Sequence, residues 1–280
     1  MGEERSLTAA ALWKRIAVLL IAGVIIWKFI AYLSESFMGQ EYNSYVHFIL
    51  ALVTAGLTLV LLQAFMKVDA FSWNEIGQKT VVVNIFSFIL GFFLWVIPAA
   101  SGLFICLQLG WVKIEVITGI NSLMPSLFVL LVTVFLIEAL PEEFIFRGYI
   151  YRCLNALFPH WGTVILQAML FSMFAYFIGA MYSLEQLQFL PGFAIILGIF
   201  RAISGSVWTS IGFHTAIMTA TQALGTAHGH FDVDGISALR FFAFILLPSV
   251  IGSTVLSFIY SNHQWSKKES FHRIEKRTSK

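Results

Sequence analysis

The sequence contains little charge. Only 11% of its 280 residues are Asp, Glu, Lys or Arg, whereas 59% are hydrophobic and the mean hydropathy is +0.84. A soluble domain has about a quarter charged residues, so this composition excludes one and indicates an integral membrane protein. The chain also lacks a glycine-rich phosphate loop and any basic stretch interleaved with aromatics. We therefore expect no nucleic-acid partner.

Two further features are scarce or missing. There are only two cysteines, Cys106 and Cys153, and neither forms a CxxC pair. Isolated cysteines in apolar segments are typically small buried hydrophobes. Lys14 and Arg15 precede an apolar run, but no small-residue cleavage site follows, so we predict a retained first transmembrane helix rather than a signal peptide.

Long apolar runs dominate what is present. A membrane-spanning helix needs about 20 predominantly apolar residues. We predict an all-α, polytopic integral membrane protein with about eight transmembrane helices, and the sixth run is short enough to be re-entrant instead. The predicted spans are residues 12–33, 45–66, 80–106, 124–146, 161–182, 189–203, 206–225 and 239–260.

Lysine and arginine are unevenly distributed among the loops. With eight spans, all but three of the 17 basic residues lie on the side of the basic C-terminal tail; the exceptions are Lys28, Lys113 and Arg240. Positive residues concentrate in cytoplasmic loops, so both termini are predicted to be cytoplasmic. Membrane lipid is accordingly an expected partner, with the tail beside anionic headgroups.

One predicted span contains a cluster of charges. Glu142 and Glu143 follow Pro141, which predicts a kinked or restarted helix, and Arg147 comes four residues after Glu143. Charges in a membrane helix are costly and usually face a partner or a water-filled cavity. The i,i+4 spacing predicts a Glu143–Arg147 ion pair. Glu142 points about 100° away from Glu143 around the helix axis, so it stays available as a general base. The alternative interpretation is that these charges form an interfacial cluster that anchors the helix end.

Two stretches resemble motifs of a known family. EEFIFRG, residues 142–148, resembles the first motif, EExxxR, of the CPBP family, also called the CAAX protease or Abi family. GSVWTSIGFH, residues 205–214, resembles the family's last block and places His214 on the histidine of its third motif, HxxxN. The resemblance covers roughly residues 120–225 and implies a helical bundle like that of the CAAX proteases, which are glutamate-dependent intramembrane metalloproteases found in bacterial membranes, among others.

The resemblance also implies roles for single residues. It makes Glu142 the base that activates water, His214 the group that positions that water or a metal, and Glu143 and Arg147 the residues that order the site. If a metal is bound, zinc is the expected ion, with Glu143 and His214 as ligands. The corresponding domain prediction is residues 1–120 for about three N-terminal spans, 121–225 for the core with the motifs, and 226–280 for the last transmembrane helix and the basic tail.

The chain departs from the family pattern at two positions. The second motif, FxxxH, has Ala175 where its histidine is expected, and the third has Met218 where asparagine is expected. A thioether donates no hydrogen bond to an oxyanion, and a catalytic zinc site needs about three protein ligands. His160 is a replacement candidate near the cytoplasmic side, whereas helix rise puts the histidines of AHGHFD, residues 227–232, at the other side of the membrane.

Two functions remain open on these residues. One is an intramembrane endopeptidase that hydrolyses a membrane-tethered or lipidated peptide near the cytoplasmic leaflet. The other is a catalytically degenerate family member, a membrane scaffold or regulator that binds a partner protein. The lost histidine and asparagine favour the second, and the retained glutamates, arginine and third-motif histidine favour the first. A transporter or channel is a third class, against which the absence of visible internal repeats argues.

Overall fold

The computed structural model describes residues 8–38, 43–181, 183–225 and 229–269. Most of these residues form long helices, because apolar segments in a bilayer must satisfy their backbone hydrogen bonds internally. The long helices are α1 Ala9–Met38, α2 Ser44–Asp69, α3 Val81–Gln108, α4 Ile120–Asn155, α5 His160–Ile178, α6 Leu184–Ser204, α7 Val207–Ala223 and α8 Ile236–Ile259.

Seven of these helices, all except α7, are long and apolar enough to cross a membrane. This confirms the prediction of an all-α integral membrane protein. Helix α7 has only 17 residues, so the count of eight spans stays a prediction. Helix α6 is longer than the predicted run because it begins at Leu184, after Ser183 caps its first turn by accepting from the Gln186 amide.

A short two-stranded sheet joins the loops after α3 and α7. Strands β1 (Lys113–Val116) and β2 (Phe231–Asp234) are antiparallel, with Lys113 opposite Asp234 and Val116 opposite Phe231. The sequence does not predict this sheet, since four-residue strands are too short for a periodicity signal. We call this end of the bundle the sheet end.

Helices α3 and α7 cross in close contact. A Cβ atom on Gly91 would lie 2.0 Å from the Thr209 carbonyl oxygen, and one on Gly212 would lie 2.1 Å from the Phe88 carbonyl oxygen. Only glycine permits such backbone approach, as at small-residue crossings in membrane proteins generally. This crossing fixes the start of α7, and with it the depth of His214.

The described part of the C-terminal tail packs against the ends of α4 and α5. The amide of His160 donates to the Lys267 carbonyl at 3.3 Å, and the amide of Glu269 donates to the Asn155 carbonyl at 3.2 Å. The His160 and His263 rings lie 5.0 Å apart between centroids. We call this end the tail end. The residues after 269, including most of the predicted basic tail, lie outside the described ranges.

Helix α4 carries the first motif and changes its winding along its length. It is α-helical over Ile120–Val134, π-helical over Phe135–Ala139, α-helical over Leu140–Glu143 and π-helical again over Phe144–Ile150. It therefore continues through Pro141, so the restart that was one of our two alternatives does not occur, whereas the kink stays a prediction. The preceding π-helical turn supplies the room that a proline ring needs beside the carbonyl four residues earlier.

Candidate active site

The site is organised around one carboxylate oxygen. Oε1 of Glu143 lies 3.0 Å from Nη1 of Arg147 and 2.9 Å from Nδ1 of His214. Glu143 and Arg147 are 0% exposed, and His214 is 2% exposed. The ion pair predicted from the i,i+4 spacing is therefore formed, and it holds α4 to α7 through the histidine. With the carboxylate ionised, Nδ1 of His214 donates, which leaves Nε2 as the second ring nitrogen.

Arg147 links this centre to the neighbouring helices. Its Nη2 donates to the Ala194 carbonyl at 3.1 Å, and its guanidinium lies over the Phe171 ring at 4.9 Å from the centroid. Its own carbonyl accepts from Nε of Arg201 at 2.9 Å. Arginine suits this position because its planar charge stacks on aromatic rings while donating from its edge. Contacts with α5 and α6 therefore fix the guanidinium.

His214 is held on its other side by an aromatic ring. The Phe193 ring meets the imidazole nearly at right angles, 88° between planes and 4.9 Å between centroids. Ser206 caps the start of α7 by accepting from the Trp208 amide. The imidazole orientation is thus set by the Glu143 contact, the Phe193 ring and a capped helix start.

Glu142 lies beside this centre without joining it. It is 9% exposed, and among the described residues it forms neither a hydrogen bond nor a salt bridge. Its carboxylate does interact electrostatically with Glu138, Glu143 and Arg147. The arrangement leaves the Glu142 oxygens able to accept from a water molecule, as a general base requires.

Two polar side chains at the site were missed from the sequence. Nε2 of Gln222 donates to Oε1 of Glu138 at 2.7 Å, and Nε2 of Gln167 donates to the Ala194 carbonyl at 2.9 Å. Each glutamine lies within an apolar helical segment. A polar residue in such a segment usually has a buried partner, and that signal was available before the structure.

The two residues that depart from the family motifs, Ala175 and Met218, are both part of the apolar packing of the protein. Ala175 is 2% exposed, and Met218 contacts apolar side chains of the α4–α7 interface, including Leu130, Val134 and Ala223. Neither position brings a hydrogen-bonding group to the site. Phe174, next to Ala175, packs against the Trp27 and Phe146 rings instead.

The donor set does not fit a metal centre. Within the described ranges, no group of three or more His, Cys, Asp or Glu side chains is arranged to hold a metal ion. The two predicted ligands, Glu143 and His214, contact each other at 2.9 Å. A catalytic zinc needs about three protein ligands, so the zinc prediction has no support from these residues.

The other histidines form separate clusters. Nδ1 of His160 lies 2.7 Å from the Tyr151 hydroxyl at the tail end, so it does not fold in as a substitute for the missing imidazole. His230 contacts the hydroxyls of Thr118 and Ser126 at the sheet end, as a polar turn on that side predicts. The other histidine of that turn, His228, lies outside the described ranges.

An apolar cavity of about 540 Å³ lies beside the site, toward the sheet end. Side chains of α3, α4, α7 and α8 line it, among them Trp95, Leu131 and Phe244. Its wall on α7 is a stripe of small residues, Ala216, Thr219, Ala220 and Ala223. Glu142 and His214 do not line this cavity, which begins two residues beyond His214.

Residues 124–220 match the family model described as type II CAAX prenyl endopeptidase Rce1-like. This segment is similar to the CAAX protease family. It contains Glu142, Glu143, Arg147 and His214, and also Glu138, but it ends two residues before Gln222. The chain has no significant match among curated proteins.

The match to this family model suggests CAAX-type intramembrane protease activity. The seven apolar helices agree with a site inside a membrane protein. The match does not extend to the first three helices or to the tail. The division into 1–120, 121–225 and 226–280 therefore stays a prediction.

Proposed function

We propose that this protein is an intramembrane endopeptidase that hydrolyses a peptide bond in a membrane-tethered or lipidated substrate, with Glu142 as general base. The observation that carries the proposal is the difference between the two adjacent glutamates. Oε1 of Glu143 contacts both Arg147 and His214, and only its Oε2 lacks a partner in the described chain, whereas neither oxygen of the buried Glu142 has a hydrogen-bond partner there. A buried carboxyl group without a hydrogen-bond partner is costly and is characteristic of a functional site.

The chemistry needs only groups that the chain supplies. Glu142 accepts a proton from a water molecule while the water oxygen bonds to the scissile carbonyl carbon. The proton then passes to the amine nitrogen as the carbon–nitrogen bond breaks. Nε2 of His214 accepts a hydrogen bond from a second water molecule, which donates its other hydrogen to the developing oxyanion, and the Glu143–Arg147 pair holds the imidazole in place.

The apolar cavity supports a substrate with a hydrophobic anchor. It lies on the sheet-end side of the site, and its α7 wall of small residues starts at Ala216, near His214. A lipid tail or an apolar helix segment in this cavity would bring the attached peptide close to Glu142. We further propose that the termini are cytoplasmic and that the membrane is a bacterial cell membrane, in keeping with the basic tail and the family resemblance.

A cleavage assay tests the proposal. The purified full-length protein in detergent would be incubated with peptides that carry a lipid anchor and with the same peptides without one. We expect turnover to fall about 10²–10⁴-fold in Glu142→Gln. A comparable fall is expected in His214→Ala, whereas Glu115→Gln, an exposed glutamate on β1, should match the wild type. Absence of turnover in the wild type, or full turnover in Glu142→Gln, would refute the proposal.

One observation favours a second candidate function, a scaffold that has kept the fold and lost the chemistry. Ala175 and Met218 bring no polar atom to the site, and the cavity stops short of Glu142 and His214. The scaffold would bind a membrane partner protein through the same face. If wild-type protein is inactive but the Ala175→His/Met218→Asn double variant cleaves a lipidated peptide, the scaffold function is supported.

A further inference from the structure

The site lacks the polar groups that the family motifs place on α5 and α7. Ala175 stands where the second-motif histidine is expected, and Met218 is packed among apolar side chains. A water molecule activated by a glutamate needs a second group to fix its orientation. Glu138 and Gln222 form a polar side-chain pair that reaches this region.

Glu138 has one engaged oxygen and one unengaged oxygen. Oε1 accepts from Nε2 of Gln222 at 2.7 Å, so the carboxylate is held from α7. Oε2 is buried and has no hydrogen-bond partner among the described residues. The carboxylate is also close enough to His214 and Glu142 to interact electrostatically with both. Its unengaged oxygen is therefore a buried acceptor beside the proposed general base.

The local backbone explains how two carboxylates come to share this space. Glu138 lies in the π-helical turn Phe135–Ala139, directly before the α-helical turn that carries Glu142. Single π-helical turns inside α-helices are rare and are frequently found at functional sites. Gln222 lies on α7 eight residues after His214, about two helical turns further toward the sheet end. One helix thus supplies the two carboxylates, and the other supplies the imidazole and the amide.

We propose that Glu138 is a water-positioning residue of this peptidase and that Gln222 holds it in place. The proposal rests on the proposed endopeptidase function. The attacking water donates one hydrogen bond to Oε2 of Glu138 and the other to Glu142. These two hydrogen bonds orient a lone pair of the water oxygen toward the scissile carbonyl carbon. Glu142 takes its proton as the carbon–oxygen bond forms. That proton leaves with the amine nitrogen when the carbon–nitrogen bond breaks, and Glu138 keeps the same protonation state throughout.

Steady-state kinetics of four full-length variants in detergent test the proposal. Glu138→Gln removes the carboxylate charge at constant size and should lower kcat about 100-fold with KM within about twofold. Gln222→Leu should lower kcat about tenfold, because it acts only through Glu138. The double variant should be no slower than Glu138→Gln alone. Glu138→Asp keeps the carboxylate and should recover part of the loss.

Two exposed residues provide matched controls. Glu115→Gln and Gln108→Leu make the same chemical changes on exposed positions and should leave kcat unchanged. Wild-type kcat in a folded Glu138→Gln or Gln222→Leu variant, with Glu142→Gln inactive, would overturn this proposal and leave the peptidase function intact. If the loss of kcat in the double variant equals the product of the losses in the two single variants, the role of Gln222 in holding Glu138 is overturned. Absence of wild-type turnover would overturn both the peptidase function and this inference.

Discussion

Glu143 and His214, 71 residues apart in the chain, meet at 2.9 Å through Oε1 and Nδ1 in a site where both side chains are almost fully buried. The same oxygen is 3.0 Å from Nη1 of Arg147. One carboxylate oxygen therefore joins the two sequence motifs, and the neighbouring Glu142 is left without a hydrogen-bond partner in the described chain. The expected consequences concern stability as well as catalysis.

Removing the guanidinium should destabilise the protein strongly. Arg147→Met leaves the buried Glu143 carboxylate without its cation, and breaking a buried pair in this way costs about 3–5 kcal/mol. The Glu143→Gln/Arg147→Met double variant leaves no uncompensated charge and should recover part of that loss. The measurement is the free energy of unfolding in detergent micelles. Equal stability of the wild type and Arg147→Met would contradict the geometry described.

The crossing of α3 and α7 should tolerate no side chain. In Gly212→Ala the new Cβ would meet the Phe88 carbonyl oxygen at 2.1 Å, which forces the helices apart. Overpacking of this kind costs about 1–3 kcal/mol. Gly56→Ala is the matched control, because nothing lies within 4 Å of a Cβ there, and alanine in a helix interior should stabilise by about 0.5–1 kcal/mol. Thermal unfolding of the two variants should therefore shift in opposite directions.

Filling the cavity should affect anchored substrates selectively. Ala220 lines the cavity, so Ala220→Phe reduces the space available to a hydrophobic anchor. We expect a higher KM for a lipidated peptide, because the variant loses binding energy for the lipid that is the same in the ground state and the transition state. The kcat/KM for the same peptide without the lipid should be unchanged. Ala31→Phe, on an exposed position of α1, is the control. An equal change for both peptides would argue that the cavity does not hold the anchor.

Docking of the tail should weaken in acid. Burial lowers the pKa of His263, whose ring packs against those of His160 and Trp265. The folded state therefore binds fewer protons than the unfolded state, and the docked conformation is favoured above the ordinary histidine pKa of about 6.5. Its stability should fall as the pH drops below that value.

Hydrogen exchange measures this effect directly. The Glu269 amide, which donates to the Asn155 carbonyl, should exchange faster at about pH 5 than at about pH 8 after correction for intrinsic rates, because the pH range brackets the ordinary histidine pKa. His263→Phe keeps an aromatic ring and should weaken the pH dependence. An unchanged pH dependence in that variant would assign the effect to other groups.

The membrane-spanning helices could be predicted from the sequence more completely than the geometry of the site. Apolar runs and the EEFIFRG motif predicted the helices and the Glu143–Arg147 pair because both depend on local spacing. The resemblance of GSVWTSIGFH to the family's last block placed His214 at the site. Its direct contact with Glu143 depends on how α7 is positioned, and the α3–α7 crossing at Gly91 and Gly212 contributes to that position. A sequence of apolar residues does not reveal such a crossing.

Other features lay beyond the reach of spacing rules. The π-helical turns around Pro141 depend on how α4 packs, so the proline by itself did not decide between a kinked helix and a restarted one, and the restart does not occur. Gln222 and Gln167 stand out only as polar residues within apolar helices, and their partners, Glu138 and the Ala194 carbonyl, lie on other elements. Such partners, which are distant in the chain, can be identified only from the three-dimensional structure.

The two attachments between α3 and α7 have a consequence for what the apolar cavity can accept. The helices are joined at the glycine crossing on one side and by the β1–β2 sheet on the other, and the cavity lies between these two ties. The walls cannot spread at either tie without breaking backbone contacts. If the cavity holds the substrate's hydrophobic anchor, as proposed, we expect these two ties to limit how far α3 and α7 can separate around a larger anchor.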